Sequence, residues 1–149
     1  MKRVKILLKK KEGCEDLPIP LYATSGSSGM DLCADVSADV VLLPGDIKLI
    51  SAGIYISIPE GYEAEVRPRS GLAIKHGISL VNTPGTIDSD YRGLVNLIMI
   101  NHGKAPFTIR RGERIAQMVI KEVVKAEIEV KEELDDTARS HGGFGHTGK

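Results

Sequence analysis

Large aromatic residues are scarce in this sequence: among 149 residues there is no tryptophan and there are two phenylalanines. A core must therefore be built from branched aliphatic side chains, and a phenylalanine outside an apolar run is one the core does not need. Cysteine is equally sparse. Cys14 and Cys33 cannot make a disulfide framework, and with no export signal ahead of them they read as free thiols. An excess of one charge is missing too, since 20 Lys and Arg balance 20 Asp and Glu. The whole-molecule field gives no pull toward nucleic acid or an anionic membrane, so an anion site has to be built locally. No apolar run reaches the roughly 20 residues of a membrane span. The basic opening MKRVKILLKKK returns to lysine too soon for a secretory signal. We therefore expect a cytoplasmic protein with neither a nucleic-acid nor a membrane partner. The four histidines, His76, His102, His141 and His146, are too scattered for a protein-ligated zinc site.

What is present is a series of short runs rich in branched residues, separated by Gly, Pro and Asp. They are VKILL (4 to 8), VVLLP (40 to 44), IKLISAGIYISIP (47 to 59), YEAEVR (62 to 67), GISLVN (77 to 82), GLVNLIMIN (93 to 101), FTI (107 to 109), ERIAQMVIKEVV (113 to 124) and AEIEV (126 to 130). Many short strands with turn signals between them predict one all-β domain, a sandwich, barrel or jelly roll. The stretch from 113 to 134 has the length of a helix, but its β-branched content favours strands. SGLAIKHG (70 to 77) is the exception, with Ser70 placed to cap a helical turn and Gly77 to end it.

Three stretches carry residues suited to chemistry. In GTIDSDYRG (85 to 93), two glycines bracket Asp88, Ser89, Asp90 and Tyr91 between the apolar runs ISLV and LVNLIMI, the pattern of a wide β-hairpin. Turn chemistry alone accounts for one Asp in a loop. Two carboxylates and a tyrosine exceed that need, and a carboxylate beside a substrate can take a proton from an attacking water. RPRSGLA (67 to 73) places two arginines at i and i+2 before a helical turn whose free amides favour an anion; surface ion pairs are the plain alternative. SGMDLCAD (28 to 35) sets Asp31 in an apolar strand, where it needs a partner. Arg114 is one candidate, and a structural salt bridge and metal-site duty are the two uses open to Asp31.

The C-terminal GGFGHTGK (142 to 149) nearly spells a phosphate-binding loop, yet no helix follows it and the Ser/Thr after the lysine is missing. A Gly-rich tail is by default a disordered end. That default leaves Phe144 without a purpose.

Taken in order, SGMDLCAD, RPRSGLA, NTPGTIDSDYRG, RIAQM and RSHGGFGHTG resemble the five motifs of the trimeric dUTPase family over about residues 20 to 148. The resemblance implies a distorted β jelly roll (the β-clip) with one short helix. It divides the chain into a core, 1–130, and a flexible C-terminal arm, 131–149, that closes over an active site shared between the subunits of a homotrimer. The implied reaction is hydrolysis of dUTP to dUMP and pyrophosphate with Mg2+, which limits uracil in DNA and supplies dUMP for thymidylate synthesis. Asp88 matches the carboxylate that activates water for attack on the α-phosphorus, and Tyr91 the ring beneath the deoxyribose. Asn82 and the backbone of Gly85, Thr86 and Ile87 match the uracil pocket; Arg69, Ser70, Gly71 and Gln117 match phosphate contacts. In the arm, Arg139, His146 and Thr147 match the grip on the γ-phosphate, Phe144 the ring over uracil, and Gly145 a further substrate-binding position. Magnesium would be held by the triphosphate and water, with Asp31 at most an outer-shell carboxylate. Ser140 departs from the pattern, standing where the family's arm usually has glycine. A dCTP deaminase-like enzyme or a non-catalytic nucleotide-binding trimer on the same fold are the alternatives; the Asp-x-x-Tyr of the hairpin favours hydrolysis over deamination, and the chemical competence of every matched position favours catalysis over binding alone.

Overall fold

The computed structural model describes residues 3–143. Ten strands and one helix follow in the order β1 (Leu7–Lys10), β2 (Met30–Cys33), β3 (Val40–Leu42), β4 (Ile47–Ser57), β5 (Tyr62–Arg67), α1 (Ser70–His76), β6 (Ile78–Leu80), β7 (Gly85–Ile87), β8 (Leu94–Asn101), β9 (Phe107–Ile109) and β10 (Arg114–Glu122). Two four-stranded antiparallel sheets, β1-β4-β8-β6 and β2-β10-β5-β7, are joined by a two-stranded ribbon, β3-β9. This is the all-β, jelly-roll-like arrangement that the punctuated apolar runs predict, with its single short helix.

Alternation builds the core. In β8, Val95, Leu97, Met99 and Asn101 point inward, and in β5 and β10 Ala64, Val66, Ala116 and Met118 do so from the other sheet. Leu32, Leu42, Ile58, Ile78, Ile109 and Ile115 fill the space between. Each such aliphatic side chain contributes about 1.5–3 kcal/mol on burial, so a core without large aromatics still suffices. The one fully buried polar side chain named in the core, Asn101, donates to the Leu42 and Ala105 carbonyls at 2.9 Å each and accepts from the Gly103 amide at 2.8 Å. It ties β8 to the chain below β3 without leaving a polar atom unmatched.

β4 runs for 11 residues because a bulge bends it between Ser51 and Tyr55. Gly53 sits in that bulge at φ +67°, and a methyl group on it would lie 2.9 Å from Cys14 Sγ. The bend brings an ion-pair cluster against the strand. Asp35, nearly buried, accepts from Lys11 at 2.6 Å and from Arg111 at 2.9 Å, and Arg111 also grips Asp16 at 2.7 Å. Burial alone would raise the Asp35 pKa, but hydrogen bonds from Lys11, Cys14, Arg111 and Ser51 outweigh it and hold the carboxyl well below the usual range. Burial pushes the Cys14 thiol up, and both cysteines are free, as the sequence leads one to expect.

Four details differ from the sequence-based expectation. The first strand is displaced toward the lysines, beginning at Leu7, because pairing with Ile54–Ser57 of β4 fixes its register. The segment 126–130 forms no strand: the last one ends at Glu122, and Val124, Ile128 and Val130 are almost fully exposed. Its alternation is correct for a strand, but a strand needs a neighbour, and this stretch has run past both sheets. The 85–93 hairpin is not a simple one either. β6 pairs with β8, whereas β7 between them crosses to the other sheet and pairs with β5. Finally, Ser70 is the first helical residue rather than the cap. Arg69 holds the N-cap position without a side-chain capping bond, while Gly77 ends the helix at φ +69° as expected.

Candidate active site

The crossing of β7 between sheets positions the hairpin residues. Ala64 opposes Ile87 and Val66 opposes Gly85, so β7 is anchored by the buried Gly85 and Ile87 while Thr86 between them is exposed. Asp88 follows at once and is exposed, and the Tyr91 amide donates to its carbonyl at 3.2 Å, closing a turn. Among the described residues the Asp88 carboxylate has no hydrogen bond or ion pair. Asn82, also exposed, lies at the mouth of the same segment, close enough to Gly85 that a methyl group there would meet its Nδ2 at 3.1 Å. Tyr91 donates from its hydroxyl to the Leu94 carbonyl at 3.0 Å, which folds the ring back along the turn.

A second group forms at the other end of β5. Asp31 in β2 and Arg67 in β5 both oppose Gln117 of the central β10. Gln117 donates to the Pro68 carbonyl at 2.9 Å, and Gly29 leaves it room, since a methyl group at Gly29 would fall 2.3 Å from its Oε1. Arg69 pairs with Asp31 at 3.0 Å and donates to the Arg114 carbonyl at 2.8 Å; Arg114 reaches the second Asp31 oxygen at 3.0 Å. Arg67 turns aside to Glu65, which Lys121 neutralises from the other side. Ser70 and Gly71 are exposed, and their amides precede the first intrahelical bonds, which run from Leu72 and Ala73 to the Arg69 carbonyl. Two donors at a helix start with no acceptor among the described residues, beside an arginine, suit an anion. A cleft of ≈ 630 Å³ opens here, lined by Arg69, Leu72, His76, Phe107 and Arg114 among others.

The two groups are not brought together within one chain. From the Val66–Gly85 pair, β7 runs one way to Asp88 and β5 runs the opposite way to Ser70. Three residues in one direction and four in the other amount to roughly 20 Å if both are extended. Neither the cleft beside Arg69 nor a larger groove of ≈ 1030 Å³, lined by Ile6, Leu8, Tyr22, Tyr62 and Met118 among others, is lined by Asp88, Tyr91 or Asn82.

Asp31 is half-buried rather than buried, and the structure gives it the salt-bridge role, with the expected Arg114 joined by Arg69. Both oxygens are taken by guanidinium groups, so Asp31 does not fit as a direct metal ligand. Among the described residues no group of three His, Cys, Asp or Glu could hold an ion. Arg139 donates to the Gly142 carbonyl at 2.7 Å, and Ser140 takes the left-handed φ of +41° that glycine adopts without strain. Phe144, Gly145, His146 and Thr147 lie outside the described residues. The sequence reading missed the Asp35–Arg111 cluster and the room that Gly29 leaves for Gln117; these rest on contacts between distant segments or on space left by an absent side chain, and neither leaves a periodic signal.

Fold and surface groups define an all-β, jelly-roll-like domain with an open, hairpin-borne polar site and an anion-favouring helix start. A family model described as dUTPase matches residues 15–148, and the chain belongs to the dUTPase family. It is 56% identical over 141 residues to a deoxyuridine 5′-triphosphate nucleotidohydrolase of Caldanaerobacter subterraneus subsp. tengcongensis, covering 95% of each chain. It is 53% identical over 150 residues to the protein of that name from Maricaulis maris, covering 99% of each. The solved structure of Staphylococcus bacteriophage 80alpha dUTPase with dUpNHpp has a TM-score of 0.86 to this chain at 24% identity, over 97% of this chain and 99% of that one, and so shares the fold.

Proposed function

We propose that this chain hydrolyses dUTP to dUMP and pyrophosphate, with Asp88 as the proton acceptor. The observation that carries the reading is the contrast between two carboxylates. Asp31 is neutralised by Arg69 and Arg114, whereas Asp88 stands exposed and unpaired among the described residues, in a turn it shares with Tyr91. A base must have a free lone pair within reach of the water it serves. Asp88 orients that water and takes its proton as the oxygen attacks the α-phosphorus; the bond from that phosphorus to the α–β bridging oxygen breaks, and pyrophosphate leaves with the electron pair.

The rest of the chain binds and excludes. Asn82 and the exposed edge of Gly85–Ile87 offer donors and acceptors to uracil, and Tyr91 lies under the sugar, where a 2′-hydroxyl would collide. Arg69, the Ser70 and Gly71 amides and Gln117 take phosphate oxygens, and Arg139 with Phe144, Gly145, His146 and Thr147 closes over the nucleotide from the arm, residues 131–149. Magnesium, held by the triphosphate and water, would offset the negative charge of the leaving group. In a cytoplasmic setting the reaction keeps uracil out of DNA and supplies dUMP.

The separation of Asp88 from Ser70 supports a site shared between subunits of a homotrimer, since one chain presents the base-side and phosphate-side groups in opposite directions. The exposed, strand-patterned 124–130 segment supports assembly as well, because its apolar face finds no cover among the described residues.

The test is pyrophosphate release measured with dUTP, dTTP, dCTP and UTP, together with ammonia release from dCTP. Pyrophosphate from dUTP well above the others is the expected result. Ammonia from dCTP would move the reading to a deaminase, and no turnover of any of the four to a binding trimer.

A further inference from the structure

Gly93 is where the Tyr91 ring rests. A methyl group on Gly93 would lie 2.2 Å from Tyr91 Oη, 2.4 Å from Cζ and 2.8 Å from Cε2, and its three nearest atoms all belong to that ring. Gly93 has no left-handed φ, so backbone conformation does not require a glycine there. What requires it is the space. Tyr91 is 44% exposed; besides the Gly93 seat, its hydroxyl is held by the Leu94 carbonyl at 3.0 Å. A half-exposed ring held at these two points swings outward if either is lost.

We infer that Gly93 is a specificity-positioning residue: by leaving room for the Tyr91 ring, it sets the height of the surface on which the sugar rests, and so the discrimination between deoxyribose and ribose. This rests on the reading of Tyr91 as the sugar platform. The neighbouring Arg92 plays no part in the seat, since its guanidinium donates to the Ser89 and Tyr91 carbonyls and holds the turn instead. Gly93 does not touch the reacting atoms and acts only through the ring.

The experiment is a double-mutant cycle on the full chain, read as the ratio of kcat/KM for dUTP to that for UTP, with 19F NMR of protein labelled with 3-fluorotyrosine. Gly93→Ala is expected to narrow the ratio roughly tenfold, the scale of a one-methyl misfit. In the Tyr91→Ala background the same change is expected to leave the ratio within about twofold, since residues acting as one unit are not additive. The Tyr91 resonance, identified by its loss in Tyr91→Ala, should shift in Gly93→Ala whether or not nucleotide is present. An unmoved resonance, a parental ratio in Gly93→Ala, or an equal effect of Gly93→Ala with and without the tyrosine each overturns the proposal. A parental ratio in Tyr91→Ala itself overturns the underlying reading of the sugar platform and the proposal with it. If Gly93→Ala does not fold, Tyr91→Phe tests the same ring position: it removes the Leu94 anchor and so loosens the ring from Gly93, its ratio should fall between those of the parent and Tyr91→Ala, and a parental ratio overturns the proposal.

Discussion

Arg69 Nε lies 3.0 Å from Oδ1 of Asp31, joining the residue before the helix to the middle of the edge strand β2. With Arg114 on the other oxygen, Asp31 sets the direction in which two guanidinium groups face. Asp31→Asn should keep the fold, losing about 1 kcal/mol as expected for partly exposed ion pairs. It should raise KM for dUTP several-fold by releasing Arg69. Titrating Mg2+ separates positioning from metal duty: an unchanged Mg2+ dependence is expected, and recovery of activity at high Mg2+ would return Asp31 to the outer shell.

Asp88 has the opposite character, with no side-chain partner among the described residues. Asp88→Asn keeps the shape and removes the basic lone pair, so kcat should fall by roughly 10² to 10⁴ while dUTP binding and the melting temperature hold. Turnover near the parental rate would assign the proton to another group.

How much of this was legible in the sequence depends on whether a feature is local. Alternation in β8 and the Ser70–Gly77 stretch report their own structure, because burial of one face and a glycine cap are properties of consecutive residues. The destination of β7 is not local. Its three residues look like one arm of a hairpin, and only the pairing of Gly85 with Val66 takes them to the other sheet. The 126–130 segment shows the converse: its pattern is right for a strand, but the pattern cannot state which chain supplies the neighbour. For the site, the motif residues were visible as types and spacings. The geometry of Tyr91 was not, because it depends on the missing side chain of Gly93.

The Asp35 cluster makes stability depend on acid. Its pKa is depressed in the folded state by Lys11, Cys14, Arg111 and Ser51 against the opposing effect of burial. A depressed carboxylate contributes stability that is fully present above its unfolded pKa of about 3.9 and is lost as pH falls toward the folded value. Urea melts should therefore weaken steadily below about pH 4. Asp35→Asn should lower stability at pH 7, because Lys11 and Arg111 lose their shared partner. It should also flatten the acid limb. Parental acid sensitivity in the variant would place the titrating group elsewhere.

The arm separates function from folding. Residues 124–141 are exposed, and the contacts around Arg139 and Ser140 stay within the segment: Arg139 to the Gly142 carbonyl, and the Ser140 amide to Thr137. Little apolar surface is buried there, so deleting residues 139–149 should leave the melting temperature nearly unchanged. Activity should respond strongly, since the deletion removes Phe144, whose stacking on a base is worth about 1 to 3 kcal/mol by analogy with single-strand binders, together with the γ-phosphate grip and the exclusion of water. A loss of kcat/KM well beyond tenfold is expected. Ser140 provides a finer probe of the same arm. A non-glycine residue in the left-handed region costs roughly 1–2 kcal/mol, and Ser140 sits at φ +41°. If that conformation is the one in which the arm closes, Ser140→Gly should lower KM for dUTP several-fold with no change in melting. A shared site adds one more consequence: co-refolding Asp88→Asn subunits with subunits lacking 139–149 should give mixed trimers more active than either parent. Full activity after the deletion would make the tail dispensable. A collapsed melt would make it structural, and mixed trimers no better than their parents would confine each site to one chain.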